Sequence, residues 1–204
     1  MKGLIIKDLY NISKNINYMI LILILFAFAF ISTSGIEQYI SICGIMAGMM
    51  ITTTFAFDTH SGWNKYAVAM PVSRNDLVYG KFIILLIFTF TGIAAGVVIG
   101  FAGNFIIGGE TNFMSIVVSI VSAFSISEIF GSMTIPIMFK FNVEKGRIII
   151  IMAYTIIAVT AFSMIKNSEI SLVKNIIYGL PVIAVLMNLL MYKVSCAVLS
   201  RKDL

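Results

Sequence analysis

The chain has 204 residues, of which 60% are hydrophobic and 11% charged, and its mean hydropathy is +1.04. A soluble domain carries about 25% charged residues, so composition excludes a water-coated globule and points to lipid as the solvent. The net charge of +5 forms no basic patch with interleaved aromatics, which argues against nucleic acid, and two isolated cysteines with a single histidine cannot build a metal site.

In chain order, residues 1–16 come first. Ile5, Leu9, Ile12 and Ile16 recur on one helical face, with Lys7, Asp8, Asn11 and Lys14 between them. This pattern predicts an amphipathic helix lying in the headgroup plane on the cytoplasmic side, or else a plain helical extension of the first span. The first apolar run is too long for a cleaved signal and is expected to stay as a membrane helix; the second residue is not Gly, which excludes myristoylation.

Six apolar runs follow: Asn17 to Ser32, Tyr39 to Phe57, Val78 to Ile107, Phe113 to Phe139, Ile148 to Ile165 and Ile176 to Leu199. At about 1.5 Å per residue each is read as a crossing of a core about 30 Å thick. The expected fold is therefore an all-α integral membrane domain of six transmembrane helices over 1–204, and the lack of period-2 alternation excludes a β-barrel. Cys43 and Cys196, set in apolar runs, read as small core hydrophobes. The basic residues Lys2, Lys7, Lys14, Lys65, Arg74, Lys81, Lys140, Lys145, Arg147, Lys193, Arg201 and Lys202 fall on one side of this layout, and only Lys166 and Lys174 on the other. The positive-inside rule then puts both termini in the cytoplasm of a multi-pass cell-membrane protein.

The longest polar connection is 58–77. Thr59 or Ser61 can cap a short helix on which Trp63, Tyr66, Ala67 and Met70 share a face; Pro71 ends it, and Ser73-x-x-Asp76 is a capping signal for the next span. Such a helix can rest its aromatics at headgroup level or serve as a docking knob for a soluble protein. Within the membrane, Ser115, Ser119, Ser122, Ser125, Glu128 and Ser132 form a polar seam on the fourth run. It reads either as hydroxyl-mediated helix packing or as part of a translocation path at a two-subunit interface. Gly92, Gly96 and Gly100 give overlapping G-x-x-x-G steps for close helix contact, within the chain or between chains. Pro136 can bend the fourth run near its end.

Asp58, Gly62, Trp63, Met70-Pro71-Val72-Ser73-Arg74 and Gly80-Lys81, together with the amphipathic start and the six-run layout, resemble the permease subunits of ABC-2 type transporters. Within that family the short chain looks most like permeases of the bacterial exporter for phenol-soluble modulins. The acid is often Glu in such permeases and is Asp58 here, and His60 has no counterpart in the pattern. The resemblance implies that 58–77 is a cytoplasmic coupling helix seated on an ATPase subunit, with Asp58, His60, Ser61, Gly62, Trp63, Tyr66, Met70, Pro71 and Arg74 as docking residues. It also implies a second permease copy or paralogue and an amphipathic peptide as exported substrate. No P-loop is encoded, since Asn75 stands where the first glycine before Gly80-Lys81 would be. The chain is thus expected to bind no cofactor and to catalyse nothing, with ATP and Mg held by the partner ATPase. A membrane scaffold or immunity protein, and a secondary transporter, are the alternatives; the latter would show more midplane charge than Glu128 and more interruption than Pro136 and Pro181.

Overall fold

The computed structural model describes residues 2–14, 16–63, 73–108, 112–141, 143–167 and 170–201, the side chains of 2, 32, 161–167 and 170–178 excepted. The described residues form helices: α1 (Lys2–Ser13), α2 (Ile16–Ser34), α3 (Ile36–Met49), α4 (Ile51–His60), α5 (Arg74–Ile107), α6 (Phe113–Lys140), α7 (Val143–Asn167) and α8 (Ile170–Ser200). In surroundings without water a helix satisfies its backbone groups within one segment.

Among the described residues, four helical stretches are long and apolar enough to cross a membrane: Ile36–His60, Arg74–Ile107, Phe113–Lys140 and Gly179–Ser200. A fifth is counted if Gly3–Ser13 and Ile16–Ile31, bent by 60° relative to one another, are taken as one broken span. This corrects the expectation of six spans. Of the first apolar run, the stretch Ile16–Ile31 is counted only when joined to α1, and the side chain of residue 32 lies outside the described residues. The end of the fifth run falls among 161–167, whose side chains lie outside the described residues, so that run is not one of the four.

The expected surface helix at the N-terminus is likewise corrected. Instead of floating in the headgroup plane, α1 is packed into the bundle: Asp8 is 3% exposed and Ile12 belongs to the main apolar core with Ile51, Phe55 and Leu85. Nor does a short helix separate from the bundle stand between α4 and α5 among the described residues. There α4 stops at His60 and Gly62 turns the chain in the left-handed region at φ +65°, a conformation that suits glycine. Residues 64–72, with Tyr66, Met70 and Pro71, lie outside the described residues.

The start of α5 is as its sequence predicts. The Asp76 amide donates to the Ser73 hydroxyl at 3.1 Å, and the Ser73 amide donates back to the Asp76 carboxylate at 3.3 Å, closing a capping box. With 34 residues, α5 is about 50 Å long, longer than an apolar core about 30 Å thick, so one end projects beyond it.

Helix α3 packs most extensively against α5 and α6, while α6 also packs along α8. Small residues let these backbones approach, as membrane helices need where no hydrophobic force draws them together. A Cβ added at Gly96 would lie 2.8 Å from the Cys43 Cβ, and one at Gly100 would lie 2.9 Å from Ile36. Gly92 faces Ala47 in the same seam, so the glycine steps of α5 serve contact with α3 inside the chain. Gly44 and Gly48 answer from α3, against Ile93 and Ser127. The Ser127 hydroxyl donates to the Gly44 carbonyl at 3.1 Å and lies 3.1 Å from the Thr89 hydroxyl, joining α3, α5 and α6.

Gly96→Val is therefore expected to destabilise the purified protein by about 1–3 kcal/mol through overpacking. Gly3→Ala, where nothing lies within 4 Å of the added carbon, is expected to leave the melting temperature in detergent unchanged.

Candidate functional site

One end of the bundle holds a group of charges that composition alone would not place indoors. Thr54, Phe55 and Asp58 share the buried face of α4, α1 contributes Lys7 and Asp8, and α5 contributes Lys81 two turns after its cap. Lys81 Nζ lies 2.9 Å from Asp8 Oδ2 and 2.6 Å from Asp58 Oδ2. Lys7 Nζ lies 3.1 Å from Asp8 Oδ1 and also pairs with Asp58 Oδ1. The four charges thus close a ring of alternating sign, Lys7–Asp8–Lys81–Asp58, with no net charge. Lys81 makes a further donation to the Thr54 hydroxyl at 3.1 Å.

Asp8, Asp58 and Lys81 are 3%, 4% and 6% exposed. Moving such ions out of water costs several kcal/mol each, and only mutual pairing with added hydrogen bonds offsets that cost. Aromatic faces complete the enclosure: Lys7 sits 4.4 Å from the Trp63 ring centroid and Lys81 sits 4.9 Å from that of Phe55. A cavity of about 100 Å³ adjoins the ring, bounded also by Leu4, Met138 and Phe139.

A second long-range contact gathers α8 at the same end. Arg74 Nη1 donates to the carbonyls of Leu199 at 2.8 Å and Ser200 at 3.0 Å, the last carbonyls of α8, where a cation is favoured.

The residues singled out in the sequence divide as follows. Asp58 is turned inward and belongs to the ring; Trp63 covers Lys7; Arg74 binds the end of α8; His60 and Ser61 are exposed. In the membrane seam, Ser122, Ser125 and Ser132 donate to carbonyls of their own helix at 3.1, 2.8 and 2.9 Å. Glu128 is 1% exposed; its Oε2 accepts from Asn188 of α8 at 3.3 Å, and its Oε1 has no hydrogen-bond partner among the described residues.

Sequence reasoning did not single out Lys7, Asp8, Thr54 and Lys81 as a unit, nor Asn188 or Ser127. A signal existed for Lys81, a lone cation followed by a long apolar run, which demands an anion from elsewhere. Gly44-x-x-x-Gly48 was equally visible.

Among the described residues no group of three or more His, Cys, Asp or Glu could hold a metal ion. Apolar helices of spanning length, joined through small residues and with their charges paired at one end, make this a multi-pass, all-α membrane protein. A family model described as ABC-2 family transporter protein matches residues 3–201, and the chain belongs to that family. No curated protein and no solved structure gives a significant match. Family membership fits a transport subunit.

Lys81→Met would strand an uncompensated negative charge in the ring and is expected to cost about 3–5 kcal/mol. Adding Asp58→Asn restores neutrality and should recover much of the loss. A double-mutant cycle by denaturation in detergent checks this; strictly additive effects would contradict the ring.

Proposed function

We propose that the chain is the permease subunit of an ATP-binding cassette exporter. It pairs with a second permease copy or paralogue and with ATPase subunits that bind ATP and Mg, and it moves amphipathic or hydrophobic substrates out of the cell. The family match along nearly the whole chain supports the class. The resemblance to phenol-soluble modulin exporters supports amphipathic peptides as the substrate, as does the scarcity of fixed charge along the spans for a small ion to pair with. Both termini lie in the cytoplasm in this reading, on the side where the basic residues gather.

The observation that carries the reading is the ion ring. Asp58 and Trp63 immediately precede the polar connection between α4 and α5; Asp58 is paired with Lys7 of α1 and Lys81 of α5, and the Trp63 ring packs on Lys7. A push on that connection by an ATPase would reach the long α5 helix through paired ions rather than through a slack loop. Trp63, Tyr66 and Met70 are the anchors proposed for the ATPase.

Co-expression with the candidate ATPase tests this. Wild-type protein should retain the ATPase through purification, and the Trp63→Ala, Met70→Ala variant should lose most of it. Equal retention by both would remove the docking assignment.

A further inference from the structure

A second lateral feature lies away from the ion ring. Three helical faces, Ile45 to Thr52 across the α3–α4 joint, Ser127 to Thr134 on α6, and Arg147 to Ala158 on α7, enclose a groove of about 440 Å³. On the first two faces the lining residues recur at i, i+3, i+4 and i+7, one stripe per helix. The volume falls in the range of small-ligand sites, about 300–1,000 Å³.

The polar groups of this groove are already satisfied by the protein, with one exception. The Thr52 hydroxyl donates to the Met49 carbonyl at 2.9 Å, and Ser127 donates to Gly44 at 3.1 Å. Tyr154 donates to the Phe130 carbonyl at 2.6 Å, and Thr134 donates to the same carbonyl at 3.0 Å. These hydroxyls leave a wall that offers a ligand little but apolar surface. Arg147 is the exception: it is exposed at the groove's end and has no carboxylate partner among the described residues, whereas Lys7 and Lys81 each have two.

An apolar channel ending in one unneutralised guanidinium is complementary to a hydrocarbon chain ending in an anion. We propose that this groove binds an anionic phospholipid, with an acyl chain lying between α3–α4, α6 and α7 and the phosphate on Arg147. A guanidinium suits this task because its fork of donors matches phosphate oxygens two at a time. The bound lipid would tie α7 to α3 and α6 through its chain.

The test uses the full chain, purified in detergent without ATPase and equilibrated with equal phosphatidylglycerol and phosphatidylcholine, with retained lipid counted by native mass spectrometry. Wild-type protein should retain phosphatidylglycerol in preference. Arg147→Gln should cut that retention roughly tenfold, the scale of one lost charged hydrogen bond. Lys140→Gln, a nearby cation that does not line the groove, should leave it unchanged. Ile151→Trp, at a site 64% exposed and so tolerant of a larger side chain, should lower retention by filling the groove while Arg147 stays intact. Equal losses from Arg147→Gln and Lys140→Gln would reduce the effect to general surface charge and overturn the proposal. So would unchanged retention in Ile151→Trp, or ready disulfide formation between two copies of an Ile151→Cys variant, which would show a second chain covering the groove. Because the readout is lipid alone, its failure leaves the export reading untouched, and the reverse holds as well.

Discussion

A charge removed from water must find its opposite, and this protein meets that demand across three helices at once. Asp8 and Asp58 are each shared between Lys7 and Lys81. None of these residues could be buried singly, so the position of α1 against α4 and α5 is fixed by the geometry of the ring. Removing any member leaves a partner stranded, which makes the arrangement specific as well as stable. The contact between Arg74 and the last carbonyls of α8 extends the same end of the bundle to a fourth helix.

Away from this end, cohesion comes from shape. Glycines on α3 and α5 allow the backbones to meet, and hydroxyls at Ser127 and Thr89 bridge the gap where side chains are short. Dispersion and a few hydrogen bonds are what membrane helices have available for association. The two modes divide the labour. The glycine seam joins α3, α5 and α6, and the ion ring attaches α1 and α4 to them through Lys81 of α5. In the proposed export reading this division has a use: stiffness along the spans, and a firm grip where an ATPase would push.

Membrane residence was legible in composition, and the family in a handful of residues around 58–81. The capping box at Ser73 and Asp76 and the glycine face of α5 were legible because they depend on spacing within one helix. The ring was not. Its bonds join residues 51 and 73 positions apart, Lys7 with Asp58 and Asp8 with Lys81, and no local period registers such a pairing. Read locally, Lys7 and Asp8 form the polar face of a surface helix; read with their partners, they are what pulls that helix indoors. Nor does a hydropathy run register the 60° bend that lies just ahead of it, between α1 and α2. The serine seam was a true period but an incomplete guide, because Ser127, which lies outside it, makes the bridge to α3.

The central claim is that α1 is docked on α5 by the ion ring. The Cβ of Leu4 lies 3.7 Å from the position a Cβ would take at Gly80, close to the Cβ separation of about 3.8 Å in a disulfide. A Leu4→Cys, Gly80→Cys variant, with Cys43 and Cys196 replaced by alanine, should therefore cross-link rapidly and nearly completely under mild oxidation in native membranes. Failure to cross-link, with both introduced thiols reacting freely with a water-soluble maleimide, would mean that α1 lies apart from the bundle and would contradict the account.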